Sequence, residues 1–164
     1  MTEQDLALVT AKPLLWRCLP FDQLTPRDLY ALLQLRSAVF VVEQECVFQD
    51  LDGADLMCHH LMGMDATHGV CAYTRLVPAG LKYPEASIGR VVTDPKVRGK
   101  SVGHELMERS CEWLTLLWGA QPIRIGAQAH LQDFYRAHGF VTVGAAYIED
   151  GIPHVEMLRQ PTSV

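Results

Sequence analysis

The alternation of hydrophobic and polar positions predicts that the first half of the chain combines one helix with several strands. Thr25 and Pro26 mark a helix start, with an N-cap hydroxyl, a proline at the first helical position and an acid, Asp28, three residues after the cap. Apolar and β-branched runs bounded by turn residues predict strands. These strands are Leu14 to Leu19, Leu61 to Asp65, Val70 to Val77 and Ser87 to Thr93. The last three follow one another closely, so an antiparallel meander is the economical arrangement.

The second half of the chain predicts a longer helix and then several short elements. Leu106, Ser110, Leu114 and Leu117 repeat every three or four residues, which is typical of an amphipathic helix, and Gly119 ends it. The elements that follow are a strand at Pro122 to Ala127, a short helix at His130 to His138, and strands at Phe140 to Gly144 and His154 to Arg159 around a turn at Asp150-Gly151. The order of elements is therefore mixed, and no repeat or linker divides it.

Two stretches between these elements have roles that the pattern leaves open. Ala38 to Gln44 is apolar until Glu43 and is ambiguous between a continued helix and a short extended piece. Gln49 to Asp55 is an acidic, turn-rich loop, but its glycine does not stand where an EF-hand requires it, which argues against calcium. His59 and His60 are neighbours on an extended chain and point to opposite faces, so we interpret them as ordinary strand histidines.

Composition and charge narrow the class of protein. The 164 residues, 49% of them hydrophobic, suit one domain, which we assign to residues 1–164 with residues 1–12 as a loose leader. A net charge of −5 without a basic run argues against nucleic acid as the main partner. Five cysteines without a C-x-x-C pair fit reduced thiols. With no stretch of ~18 apolar residues and no signal peptide pattern, we expect a cytoplasmic protein with no membrane partner.

The stretch Ile88 to Met107 predicts a strand, a basic loop and a helix, an arrangement that can hold a phosphate on the free N–H groups of the helix start. Gly99-Lys100-Ser101 fits the end of a nucleotide P-loop, but Asp94 stands where that motif needs its first glycine. The alternative pattern is R-x-x-G-x-G/A, in which Arg98 begins the loop, Gly103 ends it and Ser101 replaces the middle glycine.

This second pattern resembles the pyrophosphate loop of the GNAT acetyltransferase superfamily. The strand ending at Val91-Val92, the helix after the loop and the motif F-Y-x-x-x-G-F over residues 134–140 are similar to the successive core motifs of those enzymes. Four further stretches are similar to the ElaA-type subfamily, at residues 29–44, 49–55, 125–135 and 149–157. Together the similar stretches span most of residues 20–160.

The resemblance implies a single-domain α/β (α+β) GNAT fold, with a mixed, mostly antiparallel sheet flanked by helices. It implies transfer of an acetyl group from acetyl-CoA, as cosubstrate, to a primary amine by direct attack in a ternary complex. The main chain at Val91 and Val92 would align the pantetheine arm and the acyl carbonyl, and Gln128 would add a polar contact. The pyrophosphate would be held by amides of the loop, which comprises Arg98, Gly99, Lys100, Ser101, Val102 and Gly103. We expect no metal, a small-molecule or peptide amine as partner, and leave a homodimer open.

Two residues are candidates for the proton transfers that amine acetylation needs. The resemblance places Tyr135 where a tyrosine can protonate the thiolate of coenzyme A, because a phenol stays protonated at neutral pH. The alternative is that Tyr135 only packs against Leu131. Glu43, alone in an apolar stretch, is the candidate proton acceptor. It is equally well explained as a structural carboxylate paired with Arg36 or another arginine.

Three other polar residues are weaker candidates for roles in the site. His60 is a second candidate for the proton acceptor. Arg75 and Arg90 could meet an acidic acceptor, although exposed or paired arginines are the safer interpretation.

An alternative function is a coenzyme A-binding module that senses acyl-CoA without turnover. Binding of acetyl-CoA without thiol release on a broad amine panel would favour that alternative.

Overall fold

The computed structural model describes residues 13–162, so the predicted leader at residues 1–12 lies outside the described residues. Ten elements make up the main architecture: strands β1 (Leu15–Pro20), β2 (His59–Asp65), β3 (Gly69–Val77), β4 (Ser87–Thr93), β5 (Ile123–Gln128), β6 (Val141–Glu149) and β7 (Ile152–Arg159), and helices α1 (Pro26–Arg36), α2 (Val102–Trp118) and α3 (Gln132–Arg136). Within residues 13–162, no helix has the length and apolar character needed to cross a membrane.

The first four strands form an antiparallel meander in the order β1-β2-β3-β4, and the pairing of β2, β3 and β4 confirms the arrangement predicted for those three strands. The start of α1 also confirms its prediction. The Thr25 hydroxyl accepts a hydrogen bond from the Asp28 N–H at 3.1 Å, and the Asp28 carboxylate accepts one from the Thr25 N–H at 3.2 Å. This reciprocal cap satisfies two N–H groups that a helix start leaves unpaired.

The last three strands form a second antiparallel sheet in the order β5-β7-β6. The two sheets meet through one parallel contact between Ala86 and Ile123, where the Arg124 N–H donates to the Ala86 carbonyl at 2.9 Å. Beyond this contact β4 and β5 separate, and the edge of β4 that faces β5 pairs with no other strand among the described residues. The separation opens a gap in the middle of an otherwise continuous, mostly antiparallel fold.

The helices α1 and α2 cover opposite faces of the meander. On one face Leu32 and Leu35 of α1 pack against Met62 and Tyr73, and all four are buried. On the other face α2 packs through a cluster that includes Leu106, Met107 and Leu114. The Thr74 and Ser110 hydroxyls are 2.8 Å apart across this second interface. Successive residues of β3 therefore face different helices, as the period of a strand requires.

The sequence does not distinguish a helix from an extended chain at Ala38 to Gln44, and the structure shows that this stretch is helical. Ser37–Glu43 continues α1 as a π-helical segment, and the Gln44 N–H donates to the Val39 carbonyl at 3.0 Å. Such wide turns often occur at functional sites. Here the segment carries Phe40 and Gln44 to the gap between β4 and β5.

Two other predicted elements differ in length from the structure. The predicted helix at His130 to His138 is a single turn of 3-10 helix followed by the short α3, because Gly139, at φ 87°, ends the helical backbone. The strands predicted at Phe140 to Gly144 and from His154 are longer, and they join at the Asp150-Gly151 turn, where both residues have positive φ. Such a turn matches the twist of two paired strands and fixes their register.

Candidate active site

A cleft of about 170 Å³ lies where β4 and β5 separate. Gly89, Arg90 and Val91 line it from β4, and Gly126 and Gln128 line it from β5. Phe40 of the π-helical segment and Gln44 and Phe48 in the chain after it form a third wall. Tyr135 of α3 and Glu149 and His154 of the β6–β7 hairpin complete the lining. Elements distant in sequence thus meet around one opening in the sheet.

The β4 wall of the cleft is shaped by a bulge. The register of β3 and β4 shifts between Tyr73 and Arg75, and Arg90 on the bulged strand has φ 49°. A bulge twists the strand and redirects its side chains and main-chain groups. Val91 consequently lines the cleft, whereas the side chain of Val92 is buried in the core beneath α1. Of the two residues predicted to align the pantetheine arm, Val92 can therefore contribute only its main chain.

The predicted phosphate loop has the geometry of an anion cradle. The N–H groups of residues 99–104 have no hydrogen-bond partner among the described residues, and the first helical bond of α2 comes from the Glu105 N–H to the Ser101 carbonyl at 3.1 Å. Gly99 and Ser101 have φ of 80° and 59°, which turns the chain tightly into α2. Free N–H groups at a helix start, supported by the helix dipole, suit a diphosphate. The loop therefore fits the pyrophosphate of a coenzyme A.

The replacement of the middle loop glycine by Ser101 leaves its N–H available but adds backbone strain. At φ 59° and ψ 19° the residue is in the left-handed region, which costs an L-residue about 1–2 kcal/mol and costs glycine far less. Since glycine also loses more chain entropy on folding, we expect Ser101→Gly to stabilise the protein by up to about 1 kcal/mol. Coenzyme A affinity should stay within about twofold, because the N–H is retained.

Urea unfolding and calorimetric titration with coenzyme A test this prediction. Ser101→Ala is the matched control, since it removes the hydroxyl and keeps the strain. A variant Ser101→Gly no more stable than Ser101→Ala would contradict the explanation by strain.

Tyr135 lies on α3 with its ring buried and its hydroxyl at the cleft. Only 6% of the residue is exposed, and the ring contacts those of Phe134 and Phe140. The hydroxyl forms no hydrogen bond within residues 13–162, although the residue lines the cleft. Burial raises the pKa of Tyr135 to about 12, so the phenol keeps its proton at neutral pH. An unpaired proton donor facing a cleft is suited to protonating a leaving group.

Glu43 is held beside the phosphate loop rather than at the cleft. Its carboxylate accepts hydrogen bonds from both terminal nitrogens of Arg98, at 2.5 and 3.1 Å, and Arg98 also donates to the Thr93 carbonyl. Glu43 is not among the lining residues of the cleft. The pairing with an arginine is the alternative that the sequence left open, and the role of Glu43 as proton acceptor stays a prediction.

Gln128 lies at the end of β5, where the strand reaches the cleft. Its side-chain N–H donates to the side-chain amide oxygen Oε1 of Gln44 at 3.3 Å. This bond joins β5 to the end of the π-helical segment across the opening. The residue is therefore placed to contact a molecule in the cleft, as its predicted role requires.

The acidic loop folds into a closed ring of alternating charges. Asp50 bonds to Arg36 and Arg90, Asp52 to Arg90 and Arg75, and Asp55 to Arg75 and Arg36. We call this cluster the charge ring. Its arginines are therefore paired with aspartates, which agrees with the safer interpretation of Arg75 and Arg90. The hydrogen bond from Arg75 holds the pKa of Asp52 well below its usual range despite partial burial.

His60 is part of the interior and not of the cleft. Its Nε2 lies 2.9 Å from the Asp55 carbonyl and its Nδ1 lies 2.7 Å from the Tyr73 hydroxyl. Burial lowers the pKa of His60, so the ring remains neutral and both nitrogens are occupied. No group of three or more potential ligands in residues 13–162 could hold a metal ion.

His154 and Glu149 line the cleft from the β6–β7 hairpin but are not among the site residues predicted from the sequence. The signal available was the Asp150-Gly151 turn. A two-residue turn pairs Glu149 with Ile152, so it also brings residues two positions further along each strand together. The pairing alone does not indicate a site, because the sequence does not show where the hairpin lies relative to β4.

Comparisons with known proteins identify the family of the chain. Residues 43–160 match the acetyltransferase (GNAT) domain family. The chain therefore belongs to the GNAT acetyltransferase family, whose members use acyl-CoA as cosubstrate. Within that family it is similar to protein ElaA of Escherichia coli strain K12, with 45% identity over 147 residues that cover 88% of this chain and 95% of ElaA.

Two solved structures have the same fold. The crystal structure of Escherichia coli ElaA has a TM-score of 0.83 and 43% identity, covering 90% of this chain and 99% of that one. An acyl-CoA N-acyltransferase from Pseudomonas aeruginosa has a TM-score of 0.82 and 45% identity, covering 88% and 98%. These matches confirm the predicted single-domain GNAT fold and the resemblance to the ElaA-type subfamily. Family membership supports an acyl-CoA-dependent N-acetyltransferase.

Proposed function

We propose that this protein transfers an acetyl group from acetyl-CoA to a primary amine by direct attack in a ternary complex. The observation that carries the proposal is the row of unpaired N–H groups at residues 99–104, at the start of α2, beside the gap between β4 and β5. A diphosphate held there can direct a thioester arm along the unpaired edge of β4 into the cleft. The opposite side of the cleft remains open to an amine.

The protein's own groups supply positioning and one proton in this reaction. Main-chain groups at Val91 and Val92 align the thioester beside the splayed strand, and Gln128 contacts the arm from β5. The amine nitrogen forms a bond to the thioester carbon as the carbon–sulfur bond breaks. Tyr135 donates its phenolic proton to the departing sulfur, and its oxygen then regains a proton released from the acylated nitrogen. Holding both reactants in one cleft removes most of the entropy cost of their encounter.

Release of free thiol from acetyl-CoA tests the function. The panel consists of alkyl monoamines, diamines, polyamines, free amino acids and lysine-containing peptides, and the product amide is identified by mass. We expect thiol release that depends on the amine, and calorimetric binding of coenzyme A. The variant Gly103→Glu, which places a carboxylate in the cradle, should lose binding, whereas Ala79→Glu in the exposed β3–β4 turn should keep it.

Two outcomes would contradict the proposal in different ways. Binding of acetyl-CoA without thiol release on any amine would favour an acyl-CoA sensing module. Absence of binding by folded protein would refute the assignment of the phosphate loop as well.

A further inference from the structure

We propose that His154 takes the proton from the incoming ammonium and that Glu149 holds the ammonium beside it. The inference rests on the proposed acetyltransfer and names the side chains that would prepare the amine for attack. Both residues line the same cleft as Tyr135. A lysine-like amine has a pKa of about 10.4, so at pH 7 it arrives charged and must lose a proton before it can attack.

The hairpin fixes the position of the His154 ring. His154 lies on β7 opposite Gln128 of β5 and Tyr147 of β6. Its ring stacks on that of Tyr147, with centroids 5.8 Å apart and planes inclined by 26°. The side chain is 11% exposed and lines the cleft. A ring held between two strands can present one edge to a substrate without rearrangement.

A backbone hydrogen bond assigns the proton on the ring. Nδ1 of His154 lies 2.7 Å from the Ile152 carbonyl oxygen. A carbonyl oxygen can only accept, so Nδ1 carries the hydrogen and Nε2 of the neutral ring carries the free electron pair. Nε2 is therefore the basic atom.

Within residues 13–162, no hydrogen-bond donor is paired with Nε2, and an ammonium would supply one. Nε2 lies 3.6 Å from Oε2 of Glu149, and both atoms are acceptors. Tyr147 on β6 stacks on the ring, and the other titratable or charged groups that line the cleft are Cys46, Asp150 in the turn, Lys82, Arg75, Arg90 and Tyr135. Both arginines already bond to aspartates of the charge ring. An ammonium between Nε2 and Glu149 would donate to both.

The proposed step is a simple proton transfer. One N–H bond of the ammonium breaks, its proton passes to Nε2, and the electron pair stays on nitrogen for attack on the thioester carbon. The imidazolium is then stabilised by the Glu149 carboxylate and releases its proton to solvent. The overall reaction yields one amide, one free thiol and one proton.

A comparison of pH profiles tests the assignment. With the fastest amine of the panel above, His154→Gln should lower kcat/KM roughly 10²-fold at pH 7. The ratio of kcat/KM in the parent to kcat/KM in the variant should fall towards one by pH 10, because a large share of the amine is then already neutral and needs no base. Calorimetry should show unchanged affinity for coenzyme A. In His154→Ala, added imidazole should restore part of the activity.

Two further variants complete the test. His68→Gln, an exposed histidine in the β2–β3 turn, should behave like the parent. Glu43→Gln tests the rival proton acceptor directly. The assignment of His154 would be overturned if the ratio of parent to variant kcat/KM were the same at pH 7 and pH 10, or if His154→Gln lost no activity. It would also be overturned if the pH-dependent loss of activity occurred in Glu43→Gln instead. An active parent with any of these results leaves the acetyltransferase proposal intact, whereas an inactive parent refutes both.

Discussion

Tyr135→Phe is expected to lower kcat roughly 10²- to 10⁴-fold, the range that one positioned proton donor contributes. The affinity for coenzyme A should stay nearly unchanged, because the phosphate loop and β4 are untouched. Stability should also be unchanged, since the hydroxyl has no hydrogen-bond partner within residues 13–162 to lose. Steady-state kinetics, calorimetry and urea unfolding measure the three quantities separately.

Tyr30→Phe is the matched control, because Tyr30 is 72% exposed on α1 and lies outside the lining of the cleft. The parent should also retain activity up to about pH 10, since burial raises the pKa of Tyr135 to about 12 and the phenol keeps its proton. Equal turnover in Tyr135→Phe and the parent would show that Tyr135 only packs against its neighbours.

Arg36→Met is expected to destabilise the protein by about 3–5 kcal/mol, the usual cost of removing one partner from a buried ion pair. Arg36 is fully buried and donates to Asp50 at 2.9 Å and to Asp55 at 2.8 Å. Methionine has a similar length but leaves both carboxylates short of a donor. The free energy of unfolding in urea measures the effect.

The control is Arg109→Met, whose pairs with Glu105 and Glu112 span 3.7 Å at the surface and should contribute under about 1 kcal/mol. Acid should weaken the charge ring in the parent. Burial opposes ionisation of Asp55, but hydrogen bonds from Arg36 and Arg75 hold its pKa below the usual value. Its stabilisation is therefore complete above about pH 4 and is lost as the pH falls further. Similar losses for Arg36→Met and Arg109→Met would contradict the importance of the ring.

The sequence predicted those features of the fold that neighbouring residues determine. The cap at Thr25 and Asp28, the meander and the order of strand, loop and helix from β4 to α2 each depend on residues close together in the chain, and the structure confirms these three features. The sequence does not show whether the π-helical segment is helical or extended, because an apolar run has no period that distinguishes wide helical turns from a strand.

The charge ring and the placement of Glu43 could not be predicted from local pattern. Asp50 and Arg90 are 40 residues apart, and Glu43 and Arg98 are 55 apart, so each pair depends on the packing of whole elements. An isolated acid in an apolar stretch indicates that it needs a partner, but it does not identify which cation supplies it. For the same reason His154 became a candidate only when β7 was placed beside the cleft.

The π-helical segment makes the shape of one wall of the cleft depend on the number of residues before the acidic loop. A π turn accommodates one residue more than an α turn, so losing one residue from Ser37–Glu43 would let the segment relax to α geometry. Each α-helical residue turns by about 100°, and Gln44 would swing away from Gln128. A single-residue insertion or deletion in this segment is therefore expected to reshape the wall of the cleft that Phe40 and Gln44 form.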